Sequence, residues 1–394
     1  MSCMVETMAA RIQQLPPYLF AKIDEIKQNA KNDGIDLIDL GVGDPDLSPP
    51  KKVVDSLIRA VGKKGSHNYS SYSGLPLLRQ AFAGWFERRF GVSLDPESEV
   101  LPLLGSKEGI GHIFLSHVDT GDDVLVPDPG YPVYTAGAIL AGARPRYFPL
   151  RAEKNFLPDI DELETIITPN ARMMWLNYPS NPTTRMAGID EFRDIVAMAE
   201  NHDLLVCHDM AYSEMTFNGE KAASILQVPS AKNVCVEFHS LSKTFCMPGW
   251  RVGFAAGNAK VIQGLAKIKT NLDSGIFMPI QEAAIVALTE GEDDVAEIVK
   301  VFESRRTRFV AGLNRIGWKV PLPAATFYVW APVPSEYDSM EFCTLLLGET
   351  GIVCTPGTGF GNFGEGFIRM SLTVPQERLD VALERLAETD IDWS

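Results

Sequence analysis

A lysine acts as a nucleophile only where its surroundings take the proton away, and Lys243 has such surroundings. It lies in FHSLSKTFCMPGWRVGF (238–254), among apolar residues, with Ser240 and Ser242 before it and Arg251 opening the next apolar run. Desolvation and a neighbouring cation both disfavour an ammonium and expose a reactive amine. Asp209 ends the apolar run LLVCHD (204–209), and Tyr212 follows three residues on. A carboxylate there needs a partner or a task, because an unpaired buried charge is costly. Arg369, in GEGFIRMSL, is flanked by apolar strand residues; its planar fork matches a carboxylate bidentately.

Three further stretches are weaker when each is taken alone. GSKEGIGHIFLSHV (105–118) opens a helix directly after the apolar VLPLL, and Ser106 and Lys107 stand at its start. Helix N-termini bind anions such as phosphate, although an ordinary helix cap reads first. It is not a Walker A loop, and no G-x-G-x-x-G follows a strand. DPGYPVY (128–134) turns the chain after VLVP, and Tyr131 offers either an aromatic face for a planar ligand or plain packing. In NYPSNPTT (177–184), Asn181 precedes a proline, which favours an extended backbone and lets the amide point into a cleft; a turn with no further role fits equally.

The elements that must position these residues alternate. Short apolar runs at 124–127, 171–179, 204–209, 233–240 and 251–257 are separated by helical patterns such as 189–201. Buried strands alternating with helices predict an α/β fold with a mostly parallel sheet covered on both faces. In such sheets ligands bind at the carboxyl ends of the strands. Helical spacing also marks 50–62 and 75–90. The expected division is an N-terminal arm and part of a small domain (1–49), a large domain (50–285) and a small α+β domain (286–394). The last holds a helix near 292–315, two strands and a closing helix.

The net charge of −15, from 36 basic against 51 acidic residues, disfavours nucleic acid and anionic membranes as partners. It permits a small anionic substrate, since local arginines outweigh the global field. Cys3, Cys207, Cys235, Cys246, Cys343 and Cys354 form no C-x-x-C pair, so neither a metal site nor a disulfide framework is expected. With no secretory h-region in the first twenty residues and no window of about 20 apolar residues, a cytoplasmic protein is expected.

Taken in order, GSKEG, PGYP, N-P-T, D-x-x-Y, S-x-S-K with a later G-x-R, and F-I-R resemble the class I/II aminotransferases of the aspartate aminotransferase fold (fold type I), over nearly the whole chain. The resemblance implies the cofactor pyridoxal 5′-phosphate, an amino acid and a 2-oxo acid (2-oxoglutarate as usual acceptor) as substrates, and a homodimer with shared active sites. It implies that Lys243 forms the Schiff base and moves the proton, that Asp209 partners the pyridine nitrogen, and that Asn181 and Tyr212 hold the phenolic oxygen. Tyr131 would stack on the ring, while Ser106, Lys107 (through its backbone), Ser240, Ser242 and Arg251 would cradle the phosphate. Tyr69, in HNYSSYSG, would reach the phosphate of a neighbouring subunit. Arg369 would clamp the substrate carboxylate, with Gly43 beside it. Within the family, IDLGVGDPDLSPP, EFHSLSKTF and KTNLDSGIFMPIQEAA resemble the branch acting on LL-2,6-diaminopimelate. Two departures stand out: Thr184 where a glycine is common, and Tyr72 where the plant type has a glutamate. An alanine or broad neutral amino-acid aminotransferase, and a β-lyase on the same fold, remain the alternatives.

Overall fold

The structure, a computed structural model, describes residues 8–16, 27–28, 32 and 34–393. The arm and helix expected over 1–30 lie largely outside the described residues; inside them, Ala10–Gln13 makes a single helical turn. Twelve strands are described: β1 Ile38–Asp39, β2 Val100–Leu103, β3 Asp123–Asp128, β4 Arg144–Pro149, β5 Ala171–Asn177, β6 Leu205–Asp209, β7 Cys235–Ser240, β8 Gly253–Gly257, β9 Tyr328–Pro332, β10 Ile352–Val353, β11 Thr355–Pro356 and β12 Phe367–Ser371.

Seven of them form one sheet in the order β2-β8-β7-β6-β5-β3-β4. All neighbours are parallel except β8, which runs antiparallel to both β2 and β7. β2, β3, β5, β6 and β7 therefore end at the same edge, and β8 begins there. The strands read as continuous apolar runs because both faces are buried, and alternate residues divide between two cores. One face packs Val124, Trp175, Cys207 and Phe238 with Ile113 and Phe114 of the helix Ser106–His117. The other packs Leu176, Val206 and Phe254 with Phe82 and Phe86 of the helix Pro76–Phe90 and with Phe192 of Ile189–Asn201.

The chain outside this sheet builds two smaller ones. β11, β12 and β9 form an antiparallel sheet, and β1 pairs in parallel with β10, so the segment before residue 50 joins the C-terminal part. A partly buried ion pair fastens the same segment: Arg305, on the helix Glu292–Arg315, grips both Asp46 carboxylate oxygens at 2.6 and 2.8 Å. This anchoring holds the 41–43 backbone over the carboxyl edge of the large sheet. No helix among the described residues is long and apolar enough to cross a membrane.

Candidate active site

The carboxyl edge opens into a cavity of about 450 Å³. Gly43, Ser106, Lys107, Tyr131, Asn181, Asp209, Tyr212, Ser240, Ser242, Lys243, Arg251 and Arg369 all line it. The geometry thus gathers every site residue expected from the sequence except Tyr69, which is 93% exposed on this chain's own surface.

Lys243 is carried by a single helical turn, Leu241–Thr244, directly after β7. Ser240 caps that turn, its Oγ accepting from Ser242 N at 3.2 Å, so the serine fixes where the lysine starts. Lys243 Nζ donates to Gly43 O at 2.7 Å and lies 5.5 Å from the centre of the Phe327 ring. Burial lowers its pKa to about 8, with Arg369 and Arg251 pushing the same way against Asp44. At neutral pH about a tenth of the amine is then free base, far more than an ordinary lysine holds. Gly43 must lack a side chain, because a Cβ there would meet Tyr328 Oη at 1.8 Å.

Asp209, the last residue of β6, is buried on the cavity floor. Tyr134 Oη donates to its Oδ2 at 2.8 Å, whereas its Oδ1 is buried with no hydrogen-bond partner. Burial raises its pKa, and the Tyr134 hydrogen bond opposes that rise. A buried carboxylate oxygen left open toward a cavity calls for a donor or a cation from a ligand. Asn177, at the end of β5, donates to Asp209 O at 2.7 Å and accepts from Asn181 N at 2.7 Å, tying the two strand ends together.

Arg369, in β12, is fully buried. It donates to Asn181 Oδ1 and to Gly41 O, each at 2.7 Å, and its guanidinium lies over Tyr328 and Phe360 at 4.2 and 4.8 Å. Both of these acceptors are neutral oxygens. Because Asn181 gives its carbonyl oxygen to Arg369, its amide NH₂ is the half left to donate. Tyr212 Oη lies 2.9 Å from Tyr328 Oη.

At the other end of the cavity the helix Ser106–His117 begins behind Gly105, whose φ of 78° suits glycine. A Cβ at Gly105 would lie 2.1 Å from the Arg251 guanidinium, so the glycine lets the arginine pass over the helix N-terminus. Arg251 donates to Pro248 O at 2.9 Å and to Leu104 O at 3.4 Å. Glu108 fastens this loop from behind: it accepts from Leu104 N at 2.7 Å and from the buried Lys269 ammonium at 3.2 Å. The Lys107 ammonium lies 5.8 Å from the centre of the Tyr131 ring.

Sequence reasoning missed Tyr134, Asn177 and Tyr328. Tyr134 and Asn177 stood inside motifs already singled out, DPGYPVY and NYPSNPTT, where neighbours drew the attention. Tyr328 sat in an apolar strand and carried no polar signal of its own. Thr184 adopts φ 62°, the left-handed region, which accounts for the glycine common at that position.

These features fit a flat, phosphorylated aldehyde. Asp209 Oδ1 awaits a ring N–H, a helix N-terminus with Arg251 and two serines awaits a dianion, and a low-pKa amine stands between them. Pyridoxal 5′-phosphate has those three parts. The comparisons with known proteins agree. The pattern described as "Aminotransferase class I and II" matches residues 35–386. The chain is 48% identical over 378 residues to the LL-diaminopimelate aminotransferase of Moorella thermoacetica, covering 96% of this chain and 97% of that protein. It is 49% identical over 376 residues to the one of Aquifex aeolicus, with 95% and 97% covered. It superposes on substrate-bound BacF from Bacillus subtilis with a TM-score of 0.95 at 33% identity, covering 99% of each chain. Sequence pattern, fold and cavity therefore converge: the chain belongs to the class I and II aminotransferases, fold type I enzymes that work with pyridoxal 5′-phosphate.

Proposed function

We propose that this aminotransferase moves an amino group from LL-2,6-diaminopimelate to 2-oxoglutarate by a ping-pong reaction in which Lys243 is the working base. The observation that carries the mechanism is a buried amine with its pKa held at about 8, facing the same cavity as the unpartnered Asp209 Oδ1. Pyridoxal phosphate supplies an aldehyde that condenses with amines and a ring that takes up the electron pair of a broken Cα–H bond. In this reading Asp209, as an anion, keeps the ring nitrogen protonated. Asn181 and Tyr212 donate to the phenolic oxygen, and Tyr131 covers the ring face. Ser106, the Lys107 N–H, Ser240, Ser242 and Arg251 hold the phosphate. Arg369 and the Gly43 backbone orient the substrate, so the Cα–H bond stands where the Lys243 amine takes and returns the proton.

The substrate reading rests on the names of relatives that are 46–49% identical over nearly the whole chain. Arg369 accounts for one carboxylate of any substrate, so selectivity must lie at the distal end. A site built for a distal ammonium and carboxylate rejects alanine strongly, since its polar groups would be left unpaired. With 2-oxoglutarate as acceptor, kcat/KM for LL-diaminopimelate should exceed that for alanine, aspartate, glutamate and phenylalanine by roughly 10³-fold or more. Comparable values for alanine and LL-diaminopimelate would overturn the substrate and leave the aminotransferase standing.

The same reading makes the enzyme a cytoplasmic homodimer with shared sites. The cysteines among the described residues are free thiols, which suits a reducing compartment. Tyr69 and the 46% exposed Tyr72 project from a loop tied to the 276 backbone through Ser70 Oγ, 2.7 Å from Ile276 O; Leu272 and Phe277 are also exposed nearby in sequence. That apolar ground supports a neighbouring copy, across which Tyr69 reaches the other phosphate. Mixing inactive Lys243→Ala with impaired Tyr69→Ala under subunit exchange should restore activity, because one site of each hybrid carries neither lesion. Confirmed exchange without recovered activity contradicts sharing.

A further inference from the structure

On the face of the sheet turned away from the cavity, β6 and β7 bury a carboxylate between two imidazoles. Glu237 and His208 are wholly buried, His239 nearly so, and strand pairing sets His208 opposite Glu237. Glu237 Oε1 accepts from His208 Nδ1 at 2.9 Å and Ile225 N at 2.8 Å; its Oε2 accepts from His239 Nε2 at 3.0 Å and Ser224 Oγ at 2.9 Å. Burial alone would raise the Glu237 pKa, but the hydrogen bonds from the two imidazoles outweigh it and hold the group at about 2.

The two imidazoles are not equivalent. His239 Nδ1 is buried without a hydrogen-bond partner, so a single proton, on Nε2, serves its contacts. His208 Nε2 instead lies 2.9 Å from Tyr178 O. With Glu237 as a carboxylate, both of these oxygens only accept, so the two contacts ask both His208 nitrogens to donate. The Tyr178 N–H also approaches Nε2, at a longer 3.3 Å, but a bare Nε2 would set its lone pair against the nearer carbonyl oxygen. These contacts suit a doubly protonated ring at His208 with Glu237 as its counter-ion.

His208 immediately precedes Asp209, and strand alternation sends the two side chains to opposite faces. We propose that His208 is a positioning residue for the amino-group transfer: its buried positive charge, held by Glu237 and the Tyr178 carbonyl, keeps Asp209 ionised from the far side of the sheet. Burial pushes the Asp209 carboxyl toward its neutral form, the Tyr134 hydrogen bond opposes this, and the His208 charge opposes it further. Glu237 belongs to the neighbouring strand, so the positive end of the pair is the nearer to Asp209. The other titratable groups packed there are the buried phenol of Tyr178 and the buried thiol of Cys235, both with raised pKa through burial; the helix Ile189–Asn201 contributes the apolar ring of Phe192. The inference rests on the proposed task of Asp209.

Nitrogen-15 NMR of histidine-labelled, cofactor-free enzyme at neutral pH tests the charge without reference to Asp209. Both His208 ring nitrogens should resonate as protonated, with the signal assigned by its loss in His208→Gln, and Glu237→Gln should leave one of them bare. One bare nitrogen in the unaltered enzyme overturns the proposal. The double variant His208→Gln/Glu237→Gln removes both charges together and spares the fold an unpaired one. It should lose kcat roughly tenfold at neutral pH with KM little changed, because a carboxyl without its neighbouring cation titrates higher. Activity should recover as pH rises and Asp209 ionises, and a cofactor labelled at its ring nitrogen should show the same shift in protonation. A folded double variant with the unaltered pH profile and nitrogen signal overturns the proposal. Normal turnover in Asp209→Ala instead strikes the reading of Asp209, whatever the NMR shows.

Discussion

Lys243→Ala should lose turnover by about 10⁴-fold or more, since on the proposed role it removes both the group that moves the proton and the amine that condenses with the aldehyde. No substitute is at hand: the other lysine lining the cavity, Lys107, is exposed and lies against Tyr131. The cofactor should still bind, more weakly, through the phosphate end and Asp209, which separates loss of chemistry from loss of the site. Borohydride reduction of the unaltered enzyme, followed by peptide mapping, should find the cofactor on Lys243. A label on any other lysine contradicts the assignment. Activity should also fall as pH drops below about 8, the value at which burial holds the Lys243 amine, for as long as that amine must be free base to react.

Asp209→Ala carries the second large effect and a different signature. In the proposed reading the carboxylate meets the ring nitrogen rather than the substrate, and its charge matters most when negative charge develops on the ring. The expected loss is in kcat, roughly 10²–10³-fold, with a much smaller change in KM. A variant that merely needs more cofactor, and turns over normally once saturated, contradicts the electronic role. Tyr134→Phe supplies a graded comparison: it removes the hydrogen bond to Oδ2 and leaves the charge, so its loss should be smaller than that of Asp209→Ala.

The strands that bear the site were legible because they are buried on both faces and read as unbroken apolar runs ending in polar residues. β5, β6 and β7 ran within a residue or two of where the sequence placed them. β4 was not legible: it is an edge strand with exposed Arg144, Arg146 and Tyr147, so its composition resembles a loop. The reversed direction of β8 was equally hidden, because an apolar run carries no sign of which way it is paired. Among site residues, those with an unusual residue type at a strand end were found from their chemistry. Tyr134, Asn177 and Tyr328 act through contacts between segments far apart in sequence, and local spacing holds no record of those. The Glu237 pair escaped for the same reason: two histidines and a glutamate in apolar strands become a network only once β6 and β7 are in register.

Transamination itself is tested most directly by a half-reaction. Cofactor-loaded enzyme is mixed with LL-diaminopimelate and no 2-oxo acid, while the yellow absorbance and free ammonia are followed. The amino group should remain with the enzyme: the colour fades in proportion to the sites present, no ammonia appears, and later addition of 2-oxoglutarate restores the colour with an equal amount of glutamate. Continued turnover without a 2-oxo acid, with ammonia released, would contradict the account and place a lyase in this cavity.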